Sequence, residues 1–403
     1  MNLADVDLYD LDSWAERVLH DELTLLRNQE PIFRHEMPNG RPFWAITKAD
    51  HIAEMSKNPQ DFSSWRGGTT LDDYADEDLF PIRQLMLNMD PPQHSKFRKL
   101  VSRGFTPRMV RLMETRIRDD IDEIMDRILP LGEIDFVREV AAELPLRVIC
   151  RLVGIPDSDF QLIFDWTNRL IGFDDPEVQT SIDDSRIAAM ELWQYAQELV
   201  EGRGGRRADD LIHVLLNAEV DGEAITEAEF NAFFLLLSVA GNETTRNAIS
   251  SGLLAMLEHP DQWQRLVDDP SLAGSATEEI LRWSTPVIYM RRTCTRDLNF
   301  HGVEMKENDK IALFYTSANR DEARFEDPFR FDITRSPNEH LAFGVGEHFC
   351  LGSSLARLEI RLLFEAMAER MTSIEQAGDV RRLRSNFIAG IKTLPIRFTE
   401  RAR

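Results

Sequence analysis

Apolar residues recur at helical spacing along most of the chain, and this period predicts a mainly α-helical protein with small β-sheets. Helices of the first half are predicted at residues 107–129, 135–153, 157–172 and 182–201. Strand-like runs are predicted at 41–47, 298–300 and 310–315, with a hairpin at 391–398. Thr47 is predicted to cap the helix that follows the first strand. No Ser/Gly/Pro-rich linker is visible, so we expect residues 1–403 to form a single domain, with a helix-rich core and a smaller β-containing part near the N-terminus.

One predicted helix is long enough to cross the whole molecule. It begins at the capping box of residues 226–229 and continues to Pro260, which at 1.5 Å per residue gives roughly 50 Å. Small and polar residues interrupt its apolar run at 240–245. Gly241 permits close packing and Thr244 can bond to its own turn, which is the structural interpretation. An acid beside a hydroxyl in the middle of a buried helix favours a functional site instead.

The loop at residues 343–352 leads into a second helical pattern that continues to about Met371. Cys350 lies just before this helix, where free N–H groups and the helix dipole favour a thiolate that can bind a metal. Gly344 and Gly346 allow backbone conformations that a side chain would block, and Gly352 leaves room for a flat cofactor. Phe343 and Phe349 are expected to screen the sulfur from water. The alternative is that Cys350 is simply a small buried apolar residue.

Two stretches lack a clear helical or strand period. Residues 63–83 contain Gly, Asp and Thr with scattered aromatic residues, which predicts a long loop that covers a binding site. Residues 173–181 are short and acidic, and they are predicted to form a hinge between two helices over a pocket.

The composition argues against two functional classes, nucleic-acid-binding proteins and membrane-anchored proteins. The 47 basic and 70 acidic residues give a net charge of −23, which argues against a nucleic-acid partner. No segment resembles a signal peptide or a membrane span, so we expect no membrane anchor. The 3 cysteines are widely spaced, which is typical of a reducing cytoplasm.

Two motifs occur together in this chain: F-G-x-G-x-H-x-C-x-G at residues 343–352 and A-G-x-E-T-T at residues 240–245. Together they resemble the haem-ligand loop and the oxygen-activation motif of the cytochrome P-450 family of haem-thiolate monooxygenases. The resemblance implies the cytochrome P-450 fold, with haem b between the long central helix and the helix that follows the Cys loop. It also implies O2 as co-substrate and insertion of one oxygen atom into a C–H bond of a small hydrophobic substrate.

The resemblance also assigns roles to individual residues. Cys350 would be the axial ligand of the haem iron, and Thr244 and Glu243 would be the catalytic pair that handles oxygen and protons. Other cofactor contacts are implied at His94, Arg98, Ala240, Gly241, Arg292, Phe343, Gly344, His348 and Gly352. His94 and Arg98 are four residues apart and share a helical face, so a solvated basic face is the alternative.

Three further residues match a supporting motif of the family, E-x-x-R followed by a P-x-R-F segment. Glu279, Arg282 and Arg330 are therefore expected to form a buried network behind the haem. The resemblance also places apolar residues in the substrate pocket, although such residues are core residues by default. These pocket residues are Leu87, Val239, Val287, Ile288 and Ile388.

No flavin or nicotinamide fingerprint is visible, so electrons are expected from an iron-sulfur ferredoxin with its NAD(P)H-dependent reductase. A basic patch of Lys96, Lys99, Arg103 and Arg357 is the predicted docking face. Within the family, the strings at 240–247, 289–293, 317–321 and 390–395 most resemble enzymes that hydroxylate terminal carbons of methyl-branched lipids and steroid side chains. Terpene alcohol or alkane hydroxylation is the alternative, and a non-catalytic haem sensor is the alternative of another class.

Overall fold

The computed structural model describes all residues except 39, 106, 172–173, 178–182, 203–210, 218, 221–222 and 403. Most of the described residues are helical. Helices α1 to α15 are Leu11–Glu16, His20–Gln29, Ala49–Ser56, Asp76–Arg83, Gln93–Val101, Pro107–Ile128, Glu143–Val153, Phe160–Ile171, Asp184–Gly202, Leu211–Leu216, Glu227–Glu258, Pro260–Asp268, Ala273–Ser284, Tyr315–Ala318 and Ser353–Arg370. The prediction of a mainly α protein is confirmed.

The strands form small sheets. Strands β1 to β14 are Ile32–His35, Phe43–Ile46, Phe62–Ser63, Glu133–Asp135, Glu219–Val220, Glu223–Ala224, Tyr289–Cys294, Leu298–Phe300, Val303–Met305, Lys310–Phe314, Met371–Gln376, Arg381–Arg382, Ile391–Thr393 and Pro395–Glu400. The largest described sheet has the order β1-β2-β10-β7-β3, so it joins N-terminal strands to strands of the second half. The predicted hairpin at 391–398 is wrong, because β13 pairs with β12 while β14 pairs with β11 and β4.

Helix α11 is the central element of the largest hydrophobic cluster, and it packs against α7, α8, α9 and α13. Its predicted capping box is confirmed: the Glu229 N–H donates to Thr226 Oγ1 at 3.2 Å, and the Thr226 N–H donates to Glu229 Oε2 at 2.9 Å. The helix continues without a break through Gly241. A Cβ atom at Gly241 would lie 2.7 Å from Ile149 Cδ1 of α7. This glycine therefore permits the close approach of two helices, which is its structural interpretation.

Two other predictions in the first half are wrong. The stretch 63–83 is not loop throughout, because α4 occupies 76–83; Pro81 inside this helix obscured its pattern. Thr47 does not cap α3, since its hydroxyl donates to the Pro31 carbonyl at 3.2 Å. The Asp321 carboxylate instead accepts from the first N–H of α3, that of Ala49, at 2.9 Å.

Candidate functional site

The loop before α15 holds Cys350 in place through its own backbone. The Cys350 N–H donates to the Phe343 carbonyl at 2.9 Å and closes the loop. Gly344 and Gly346 have φ angles of +68° and +80°, the left-handed region that the sequence predicted for them. A Cβ atom at Gly346 would lie 2.7 Å from the Ser56 carbonyl oxygen, so the loop packs directly against the end of α3.

The environment of the sulfur combines burial with local donors. Burial raises the pKa of the Cys350 thiol, whereas the N–H groups of Gly352 and Ser353 and the charge of Arg98 act in the opposite direction. The N–H groups of Gly352 and Ser353 therefore act in the direction that the sequence predicts, although desolvation is the largest effect on the pKa of this thiol. A metal cation at the sulfur would further favour the thiolate.

Open space borders both elements that the sequence placed around the cofactor. A Cβ atom at Gly352 would meet no heavy atom of the described residues within 4 Å. Ala240 is exposed in the middle of α11, although its neighbours Ser238 and Asn242 are buried. The Thr244 hydroxyl lies one turn further along the same face and donates to the Ala240 carbonyl at 2.8 Å.

Glu243 lies on a different side of α11 from Thr244, because successive helical residues are about 100° apart. Its side chain is 0% exposed and forms an ion pair with Arg246. Arg246 in turn donates to Asn168 Oδ1 at 2.9 Å. Burial raises the pKa of Glu243, and Arg246 opposes this effect. The carboxyl group therefore combines a buried position with a chain of polar contacts to α8.

Four groups that can carry positive charge lie together near the Cys loop: His94, Arg98, Arg292 and His348. The rings of His94 and His348 are 4.2 Å apart, and Arg98 donates to the Phe349 carbonyl. His94 is 0% exposed, and neither ring nitrogen has a hydrogen-bond partner within the described part of the chain. Burial lowers the pKa of His94 to about 4, and Arg98 and Arg292 add to the effect. Such a cluster is suited to a bound group that brings negative charge.

Behind the loop, Glu279 and Arg282 form the buried pair that the sequence predicted, with Nη2 and Oε1 2.7 Å apart and both side chains 0% exposed. The expectation for Arg330 is wrong. Its side chain is 64% exposed and pairs with Asp332 at 3.5 Å, so it contributes only its backbone carbonyl to the network. Arg335 occupies the predicted place, with Nε 3.3 Å from the Glu279 carboxylate. The P-x-R-F motif therefore predicts the wrong arginine, and the arginine five residues later in the sequence makes the contact instead.

The predicted pocket residues divide into two groups. Leu87, Val239 and Val287 are half-buried, and Val287 forms a β-bridge with the buried Ile388. Ile288 instead packs in the hydrophobic cluster formed with the N-terminal helices. Adjacent residues of an extended segment point to opposite sides, so Val287 and Ile288 do not both face one pocket.

A model of the cytochrome P450 family matches residues 161–269 and 272–396. The chain belongs to this family. It is 43% identical over 407 residues to the methyl-branched lipid omega-hydroxylase of Mycobacterium bovis, covering 98% of this chain and 95% of that protein. It is 40% identical to the steroid C26-monooxygenase of Rhodococcus jostii, covering 97% and 84%. A cytochrome P450 of Mycobacterium marinum, solved in complex with pseudoionone, superposes with a TM-score of 0.90 at 37% identity, covering 98% of each chain.

This P450 is therefore a monooxygenase whose cofactor is haem iron bound through a thiolate. The described residues fit such a group. The cluster of His94, Arg98, Arg292 and His348 can accept two propionates, and the open space at Gly352 can accept a flat ring. Within the described ranges, no helix combines the length and the apolar character that crossing a bilayer requires.

Proposed function

We propose that this P450 is a cytoplasmic enzyme that hydroxylates the terminal carbon of a methyl-branched lipid or a steroid side chain. Haem b would be its cofactor, and a ferredoxin with its NAD(P)H-dependent reductase would supply the electrons. The observation that carries the proposal is the 43% and 40% identity, over nearly the whole chain, to relatives with these two activities. The structural neighbour bound to pseudoionone supports terpenoid substrates as the second candidate.

In the proposed site, Cys350 would bind the haem iron through its sulfur, and His94, Arg98, Arg292 and His348 would hold the haem propionates. When bound, the haem would supply the activation of O2 that monooxygenation requires. Phe343 and Phe349 belong to the Cys loop, with ring centroids 6.3 Å apart, and they would limit the access of water to the sulfur.

Two residues of α11, Thr244 and Glu243, would take part in proton delivery. The Thr244 hydroxyl donates to the Ala240 carbonyl, and this leaves the lone pairs of Oγ1 available to accept a hydrogen bond in the open space. The raised pKa of Glu243 lets the buried carboxyl group hold a proton closer to neutral pH than an exposed glutamate does. Arg246 and Asn168 extend this polar path towards α8.

Spectral titration of the holoprotein tests the substrate class. A methyl-branched fatty acid or a sterone should shift the iron spin state more strongly than terpenols or linear alkanes, and its terminal alcohol should form with ferredoxin, reductase and NADH. A response to terpenols alone would favour the second candidate. NADH consumption without a matching product would instead indicate a haem sensor, and equally efficient turnover with peroxide would indicate a peroxygenase.

Cys350→Ser tests the axial ligand. The variant should lose the red-shifted carbonyl spectrum and the hydroxylation activity, because a hydroxyl does not replace the thiolate. Cys150→Ser is the control, since this thiol lies in the core and burial raises its pKa well above the usual range. Survival of both properties in the Cys350 variant would contradict the assignment.

The proposed ferredoxin face contains Lys96 and Lys99, which are both exposed on α5. Arg357 is already paired with Glu278, at 2.7 and 2.9 Å, and the side chain of Arg103 lies outside the described residues. Lys99→Glu should slow ferredoxin-driven turnover at low salt and have less effect at high salt, because salt screens exposed charges. Lys306→Glu, in the turn after β9 and not one of the residues of the proposed face, is the control. Unchanged turnover in the Lys99 variant at low salt would reject this face.

A further inference from the structure

A cavity of about 290 Å³ lies beneath the segment of residues 64–74. Its walls include Arg41, Arg66, Asp73 and Arg291. The cavity is separate from the haem-propionate cluster, because Arg291 and Arg292 are neighbours on β7 and neighbouring strand residues point to opposite faces of a sheet.

The charges around this cavity are not balanced. Three guanidinium groups and one carboxylate line it. The carboxylate, Asp73, is already engaged by Arg41 at 2.8 Å and by the buried Lys310 at 3.1 Å. Arg66 pairs with Glu307 at 2.8 Å. The cavity therefore has more positive charge than its own acids neutralise.

Arg291 is the cation that lacks a carboxylate partner among the described residues. Its side chain is buried, and Nη1 donates to the carbonyl oxygens of Thr70 at 3.2 Å and Asp72 at 2.7 Å. Its Nε is buried and has no hydrogen-bond partner in the ranges that the structure describes. Burial lowers the pKa of Arg291 to about 10, and Asp73 partly offsets this effect. A bound anion stabilises a buried cation without a carboxylate partner more than it stabilises an exposed cation.

We propose that this cavity binds an oxyanion, and that during turnover the oxyanion is the carboxylate of a lipid acid substrate. The second part rests on the proposed terminal hydroxylation, which places the oxidised end of the substrate at the iron and the head group far from it. A volume of about 290 Å³ corresponds to roughly ten water molecules, which is room for a carboxylate, its first methylene groups and some water.

The cavity also connects head-group binding to the segment that covers it. Arg291 holds this segment through the carbonyls of residues 70 and 72, and its guanidinium packs against Gly67. A Cβ atom at Gly67 would lie 2.1 Å from Arg291 Nη2. A bound carboxylate would therefore be held by the same guanidinium that fixes the covering segment, so it would stabilise the covered arrangement.

Arg66→Gln tests the proposal, and Arg296→Gln is its matched control. Arg296 is an exposed arginine with one carboxylate partner, Asp61, at 2.8 Å, and it is not part of the cavity wall. Gly67→Ala is a second variant, because it keeps every charge while its Cβ atom would lie 2.1 Å from Arg291 Nη2 and 2.8 Å from Thr293 Oγ1. The probes are a methyl-branched fatty acid and its methyl ester, titrated by the spin-state shift of the holoprotein, and sodium acetate and phosphate, titrated by thermal unfolding.

The wild type should bind the acid more tightly than the ester. Arg66→Gln and Gly67→Ala should each lower the affinity for the acid about tenfold, which corresponds to one charge-assisted hydrogen bond, and should leave the affinity for the ester unchanged. A site for free anions is indicated instead if acid and ester bind alike while acetate or phosphate raises the Tm of the wild type but not of Arg66→Gln. If acid and ester bind alike and neither anion raises the Tm, the proposal is wrong. The ester still reports on terminal hydroxylation in every case, so the proposed function is judged separately.

Discussion

Arg335→Gln should weaken the buried network around Glu279, whereas Arg330→Gln should leave it intact. The Arg335 side chain is 10% exposed, and its Nε lies 3.3 Å from the Glu279 carboxylate. Its other nitrogens donate to the carbonyls of Glu326 at 2.6 Å, Asp327 at 3.1 Å and Arg330 at 2.8 Å. A glutamine is shorter and uncharged, so it cannot reproduce this set of contacts.

The structure sets the size of the effect. Removing one partner of a buried ion pair costs about 3–5 kcal/mol, because the remaining charge is left uncompensated. In the variant, Glu279 keeps its ion pair with Arg282 at 2.7 Å and its hydrogen bond from the Asp332 N–H at 2.9 Å. We therefore expect a loss at the lower end of this range, about 3 kcal/mol. Arg330 forms only an exposed pair with Asp332, so its replacement should cost at most about 1 kcal/mol.

Urea unfolding of the two variants, followed by circular dichroism at pH 7, measures this difference directly. The rate of haem loss to an acceptor protein is a second measurement, because Asn338 donates to Glu279 at 3.1 Å and links the network to the segment before the Cys loop. Arg335→Gln should lower the free energy of unfolding and lose haem faster, and Arg330→Gln should resemble the wild type. Equal effects of the two substitutions, or a larger effect at Arg330, would refute the assignment.

Gly241→Ala should destabilise the protein by up to about 2 kcal/mol, since overpacking against Ile149 costs about 1–3 kcal/mol and the gain in helix propensity returns about 1. Gly274→Ala, whose Cβ atom would meet nothing within 4 Å, is the control and should be neutral or slightly stabilising in the same urea experiment. Unchanged stability with impaired oxygen turnover at Gly241 would favour a role in making room for oxygen. Burial raises the pKa of Asp174 to about 6, and Asp72 adds to the effect, so the folded state binds this proton more tightly than the unfolded chain. The stability that Asp174 contributes should fall as the pH rises from about 4 to 6. The pH dependence of unfolding should show that Asp174→Asn raises the free energy of unfolding by about 1–3 kcal/mol at pH 7 and leaves it unchanged at pH 3.5. An increase of equal size at both pH values would contradict this.

Much of the proposed site follows from short stretches of sequence. The capping box at 226–229, the two glycines before Cys350 and the E-x-x-R pair at 279 and 282 all join residues a few positions apart. Spacing along a helix or a tight loop fixes such contacts, because the local backbone geometry is nearly the same in every protein. The fold class and the family could therefore be predicted before any tertiary contact was known.

Other features depend on packing between distant parts of the chain. Asp321 caps α3 in place of Thr47, although 272 residues separate it from Ala49. The burial of Arg335 rather than Arg330, and the packing of Gly241 against Ile149, likewise depend on which elements approach one another. Arg291 belongs to the same class, because its cavity forms only where the segment 64–74 covers β7. The sequence by itself determined the local geometry and the kind of chemistry, and the tertiary structure decided which charges are buried, since burial depends on neighbours that no local spacing specifies.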